Sequence, residues 1–181
     1  MGYIIGLIII VLLIVIAAIY NAFFARRNAV KNAFSVMDIM FKKRFDLIPN
    51  LVQAVKMYME HEKELFERIT QLRATIFSED AKTSEKIEAD TETGRIIKQL
   101  NATAENYPNL KSNTSMLQAQ MALKECEDEI AAARRLYDTN VTRYNNITGF
   151  FPLNLFAKIF GFKPYSLFEA TEQERTKTEM F

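Results

Sequence analysis

The sequence predicts an all-α protein: an antiparallel up-and-down bundle of three long helices and a short fourth, carried on an N-terminal transmembrane helix. Three observations lead there. From Tyr3 to Tyr20 every residue is apolar, Gly or Tyr, and no charged side chain appears before Arg26. Two later stretches place their apolar residues every three or four positions, the spacing of one helix face. Only five Gly, four Pro and no Trp occur, while Ala, Glu, Lys, Leu and Met are plentiful, a composition that favours helix.

The first stretch is long enough to cross a bilayer. Eighteen helical residues rise roughly 27 Å at about 1.5 Å each, close to the thickness of the hydrocarbon core. Its thirteen Ile, Leu and Val favour insertion by roughly 4–8 kcal/mol in sum. Tyr3 and Tyr20 stand where interfacial aromatics stand. The run lacks a basic leading region and a good small-x-small cleavage site, so it reads as an uncleaved anchor rather than a signal peptide. Arg26, Arg27 and Lys31 follow it, and Lys and Arg stay on the cytoplasmic side. The N-terminus is therefore expected outside and the rest in the cytoplasm, at the inner membrane of a cell. The expected organisation is an anchor over 1–25, a bundle over 26–168 and a solvated tail over 169–181.

From Ala22 to Phe77 the apolar stripe runs through Val30, Phe34, Met37, Phe41, Phe45, Ile48, Val52, Val55 and Met59, then Phe66, Ile69 and Ile76. Its near-heptad rhythm calls for packing against other helices. Pro49 lacks a donor and crowds the preceding turn, so a kink or break is expected near Leu47–Asn50. Ser78–Thr83 is polar and reads as the turn of a hairpin. A second helix follows over Ser84–Tyr107, weakened by Gly94 and closed by Pro108. Ser115 and Gln118 fit a capping box for a third helix, whose stripe is Ala119, Leu123, Cys126, Ile130, Ala133, Tyr137, Val141, Tyr144 and Ile147 and whose end is Gly149. The Phe- and Leu-rich segment 150–168 holds a short helix opened by Pro152 and closed by Gly161 and Pro164. It either closes the core as a fourth helix or forms a contact surface.

A hairpin centred at 78–83 implies a register. Tyr107 and Pro108 would return to the level of about Gln53, roughly one helical turn from Pro49. Asn50 and Asn109 would there bond the carbonyls that the prolines leave unpaired. The third helix would climb back past the hairpin tip, so that segment 150–168 begins far from the bilayer.

No chemistry emerges from the motifs. His61 is the sole histidine, and the position four residues on is Leu65, so His61-Glu62 is no zinc motif. Cys126 lies alone on an apolar stripe between Glu125 and Glu127, a core residue rather than a reactive thiol. There is no Gly-rich phosphate loop and no nucleophile elbow. No cofactor or metal is expected. Residues 21–77 hold ten Lys/Arg against six Asp/Glu, and 78–106 hold four against seven. Alternating sign suits helices that pair with each other, not a nucleic-acid face. Lys42, Lys43 and Arg44 are expected to pair with the acidic second helix or to be solvated.

Four blocks, FKKRFDLIPNLVQAVKMYMEHE at 41–62, AENYPNLKSN at 104–113, ARRLYDTNVTRYN at 133–145 and FFPLNLFAKIFGF at 150–162, resemble the LemA family. The resemblance spans about Asn28 to Ala170. It implies an antiparallel helical bundle on a single-span membrane protein with a short external N-terminus, and it implies no established catalytic activity. The blocks supply the candidate structural or interaction residues: Arg44, Asp46, Pro49 and Asn50; Tyr107, Pro108 and Asn109; Arg134, Tyr137 and Tyr144; Pro152, Phe156 and Phe160. The expected function is a non-enzymatic scaffold or adaptor that touches the bilayer through 3–20 and holds a membrane or cytoplasmic protein, or copies of itself. An accessory subunit of a membrane protease or envelope-stress system is the alternative.

Overall fold

The computed structural model describes residues 1–56, 63–105, 107–111 and 113–168. These form six helices: α1 Gly2–Lys56, α2 Lys63–Phe77, α3 Thr83–Ala104, α4 Pro108–Lys111, α5 Thr114–Gly149 and α6 Leu153–Ile159. Among the described residues there is no strand, and the all-α helical bundle expected from the sequence holds. His61 and the tail 169–181 lie outside the described residues. The chain packs as two units. One is Met1–Ala33 with the residues from Arg134 onward, and the other is Phe34–Ala133.

In the second unit α1 contributes a seam of Met37, Phe41, Ile48, Leu51 and Val55, all buried. The steps of four, seven, three and four residues keep one face inward. Arg44 fills the position between Phe41 and Ile48 and is 1% exposed. α2 buries Ile69, Leu72 and Ile76, and α5 buries Met116, Ala119, Leu123, Cys126, Ile130 and Ala133. α3 differs in kind. Ile96, Leu100 and Ala104 are apolar, but its first half buries Lys86, Asp90 and Thr93.

Ion pairs set the helix directions and correct the expected register. Lys86 meets Asp38 at 2.9 Å and Asp90 meets Arg44 at 2.7 Å, so α3 runs parallel to α1. α2 joins the two through residues 57–62 and 78–82 and must therefore run the opposite way. Its Arg73 reaches back to Phe45 and its Arg68 lies 4.0 Å from Glu92 of α3. The long helical stretch from Ala22 to Phe77 is thus two antiparallel helices. With α1 and α3 parallel, Pro108 does not return to the level of Pro49, and the shared waist does not form. α5 runs antiparallel to α1: residues 126–129 adjoin 40–44, and residues 113–122 adjoin 47–54. The unit is an up-down-up-down bundle of α1, α2, α3 and α5.

Pro49 does not break α1, which continues to Lys56. A proline at this position cannot donate to the carbonyl four residues earlier, that of Phe45. That carbonyl accepts instead from Arg73 Nη1 at 3.1 Å. The helix keeps its course because a side chain from α2 replaces the missing donor, not Asn50 as expected. At α5, the cap is Asn113, whose Oδ1 accepts from the backbone N–H of Ser115 at 2.9 Å and of Met116 at 3.3 Å. The anticipated Ser115–Gln118 box is displaced by this earlier side chain. Pro108 opens α4 instead of merely ending the helix before it, because the first helical position needs no donor. A Cβ at Gly94 would lie 3.6 Å from Arg44 Nη1, an ordinary contact, and α3 passes through Gly94 uninterrupted.

In the first unit the apolar run of α1 is uncovered, and burial begins at Phe23 and Val30. α5 brings Tyr137, Val141 and Tyr144 inward. α6 follows Pro152 and ends before Gly161, whose φ of +72° turns the chain where a side chain would be strained. Ala157, Phe162 and Phe168 are buried.

Candidate interaction site

The candidate residues separate into distinct settings. Arg44 is enclosed: its Nη1 donates to Asp90 Oδ1 at 2.7 Å and to the Asp90 carbonyl at 3.2 Å, and its Nη2 faces Glu127 of α5. Asp90 is 0% exposed. Neither ion is available to a ligand, since a buried charge is held by its partner. Sequence reasoning left Asp90 and Glu127 out of the candidate residues, because only the fold brings positions 44, 90 and 127 together. Lys42 pairs with Asp38 on its own helix and Lys43 with Glu129 on α5, so only Arg44 of the basic triplet meets α3. Burial raises the Asp38 carboxyl, but hydrogen bonds from Lys42 and Lys86 outweigh it and hold the group below its ordinary range. The exposed Asp46 sits 3.6 Å from Arg73, beside the Phe45 carbonyl that Pro49 leaves open.

Asn50 lines an open groove of about 540 Å³ between α1 and the start of α5. Leu47, Gln53, Asn113, Ser115 and Gln118 share it with three alanines, and none of the lining side chains titrates. Tyr107 and Pro108 are exposed at the start of α4; the side chain of Asn109 lies outside the described residues. Cys126 is buried with its thiol 3.7 Å from the Met40 carbonyl, and burial pushes that thiol up despite Arg44 and Lys43 nearby. Among the described residues no group of three His, Cys, Asp or Glu could hold a metal.

Arg134, Tyr137 and Tyr144 act together, in the first unit. The extended segment 163–168 lies along α5 and is held by its side chains. Tyr144 donates to the Lys163 carbonyl at 3.0 Å. Asn145 donates to the Tyr165 carbonyl at 2.8 Å and accepts from the Tyr165 N–H at 3.0 Å, the two-way bond an amide can make. Tyr137 donates to the Ser166 carbonyl at 3.4 Å, and Asp138 accepts from the Phe168 N–H at 2.8 Å. The Arg134 guanidinium lies 4.1 Å from the Phe168 ring centroid. Burial raises both tyrosine hydroxyls and the Asp138 carboxyl, the last against the pull of the Phe168 N–H and Arg134. Asn145 and Asp138 were missed; they read as polar positions until the strap lies over them.

Pro152 is exposed and precedes α6, whereas Phe156 and Phe160 belong to an aromatic cluster at the end of the apolar run. Phe160 meets Tyr20 edge-on at 5.3 Å, and Phe162 stacks on Phe23 at 5.0 Å and lies 5.8 Å from Tyr20. Phe156 stacks on Phe160 at 6.4 Å. This corrects the expectation that segment 150–168 lies far from the apolar run: Phe160 and Phe162 pack against its end, because α5 runs back toward the start of α1. Ala157 and Phe162 of the segment are buried, as a closing helix requires, while Phe151, Leu155 and Ile159 stay exposed.

Fold and site together define an all-α bundle whose first helix begins with one stretch long and apolar enough to cross a membrane. The LemA family model matches residues 33–180, and the chain belongs to that family. It is similar to Protein LemA of Metamycoplasma hominis, at 27% identity over 159 residues that cover 88% of this chain and 73% of that protein. The family match starts beyond the apolar run, so the span is read from its own residues.

Proposed function

We propose that the chain is a non-enzymatic scaffold, fixed in the cell membrane by a single span with its N-terminus outside. Its bundle is presented to the cytoplasm for partner binding or self-assembly. The observation that supports this reading is α1, whose apolar window is 0% covered by the protein and whose helix then continues unbroken to Lys56. A core helix would be covered. Orientation rests on charge. Residues 1–37 contain Arg26, Arg27 and Lys31 and no acidic residue, the pattern retained on the cytoplasmic side. The non-enzymatic reading rests on what the titratable groups do: Arg44 and Asp90 neutralise one another, Cys126 is buried, and the groove at Asn50 is lined by amides, a hydroxyl and methyls. Two measurements test the reading, the particle mass in mild detergent and photo-crosslinking in native membranes from benzoylphenylalanine at Met121, an exposed position on α5. Self-association or a discrete adduct is expected. A monodisperse monomer with no adduct overturns the scaffold.

A further inference from the structure

α6 and the turn before it carry apolar side chains that the protein does not cover. Leu155 and Ile159, one turn apart on α6, are 52% and 75% exposed, and Phe151, in the turn just ahead of the helix, is 79% exposed. Such a patch marks a surface that meets something other than water. Its position identifies what. The Tyr20 ring, at the end of the apolar run, touches Phe160 and Phe162, the residues on either side of the Gly161 turn that ends α6. The exposed residues therefore sit beside the end of the apolar run. Charge points the same way. Residues 1–37 and 139–168, which supply this contact, contain Arg26, Arg27, Lys31, Arg143, Lys158 and Lys163 and not one Asp or Glu; Asp138, next to them, is engaged by the Phe168 N–H. An excess of basic residues in the segments that carry the exposed apolar residues complements an anionic leaflet.

We propose that α6, with the turn before it, is a second membrane contact: a short interfacial helix that seats Phe151, Leu155 and Ile159 in the anionic leaflet beside the end of the α1 span. The basic residues of these segments would meet the headgroups. The strap 163–168, bonded to α5 by Tyr144 and Asn145, fixes α6 against its helix. Two attachments to one leaflet would stop the first unit from swivelling about its single span.

This rests on the anchor reading, and the test separates the two. The chain contains no Trp, so Phe151→Trp, Ile159→Trp and Val11→Trp each create a single fluorophore in the full-length chain. Each variant is reconstituted, at no more than one chain per vesicle, in phosphatidylcholine–phosphatidylglycerol vesicles with and without brominated acyl chains. Blue-shifted emission from positions 151 and 159 that brominated lipid largely extinguishes is the expected result, together with quenching at position 11. Quenching at position 11 alone, with water-like emission at 151 and 159 accessible to acrylamide, overturns the interfacial helix and leaves the anchor. Blue-shifted but unquenched emission at 151 and 159 overturns it in favour of a protein cover. Absence of quenching at position 11 overturns the anchor and the proposal with it. Positions 151 and 159 are both exposed, so a failure of one variant to fold leaves the other as the readout.

Discussion

Pro49 is tolerated inside a 55-residue helix because Arg73 occupies the carbonyl that the proline abandons, and that coupling is measurable. A mid-helix proline costs about 3 kcal/mol through the lost bond and the clash with the preceding turn. Pro49→Ala restores a donor for the Phe45 carbonyl and is expected to stabilise the protein by about 2 kcal/mol, somewhat less than the full penalty because Arg73 already offsets part of it. Arg73→Met keeps an apolar side chain of similar reach but removes the guanidinium, whose centre lies 4.8 Å from the Phe77 ring centroid, and leaves the carbonyl without its charged donor. A hydrogen bond to a charged group is worth about 1.5–3 kcal/mol; the Arg73 side chain is 43% exposed, so about 1 kcal/mol is expected. The Asp46 pair adds at most about 1 kcal/mol at that exposure. In the Pro49→Ala background the backbone N–H regained at position 49 takes the carbonyl, and the Arg73→Met cost should fall by about 1 kcal/mol, leaving only what Asp46 and Phe77 contribute in both backgrounds. The assay is thermal unfolding of the full chain in mild detergent by circular dichroism, where 1 kcal/mol corresponds to about 2–4 °C for a chain of this size. An Arg73→Met cost that is the same in both backgrounds refutes the reasoning.

Three further predictions follow from the charges. Arg44→Met strands Asp90 in the core and should cost about 3–5 kcal/mol, whereas Arg44→Met with Asp90→Leu should recover most of it, since removing both buried ions is often close to neutral; the same melting assay decides, and a double variant as unstable as the single one contradicts it. Asp38 is held below its ordinary value by Lys42 and Lys86, so it binds fewer protons folded than unfolded. Its contribution is present above about pH 4 and is lost as pH falls through the folded value. Asp38→Asn should flatten that acid limb of the stability profile, and an unchanged limb argues against the cluster. For topology, a cysteine at Gly2 in a Cys126→Ala background should react with an impermeant thiol reagent on intact cells, and one at Glu79, exposed in the turn before α3, should not; the reverse labelling puts the bundle outside.

Features with a local cause were readable from the residues alone. The span needs only consecutive apolar residues, and Tyr3–Tyr20 supplies them. The buried stripe of α5 was legible from Ala119 to Tyr144 because helical spacing alone sorts its faces, although Ile147 is only half-buried. Pro152 and Gly161 bound α6 through their own backbone limits. Direction was not legible. Residues 57–62, MYMEHE, contain neither Gly nor Pro, and the apolar rhythm of α1 resumes in α2, so one long helix and two opposed helices carry the same periodicity. That single reversal governed the rest: it made α3 parallel to α1 and paired Asp90 with Arg44. Pairing of Arg44 with the acidic helix was expected, but its burial in the seam was hidden for a related reason. Periodicity counts apolar residues, and a charge can occupy the seam only when another element brings the opposite charge, which is a fact of tertiary packing. The placement of α6 beside Tyr20 belongs to the same class, since contact between residues 20 and 160 depends on which way the intervening helices run, and the free energy that chooses their direction comes from pairings distant in the chain.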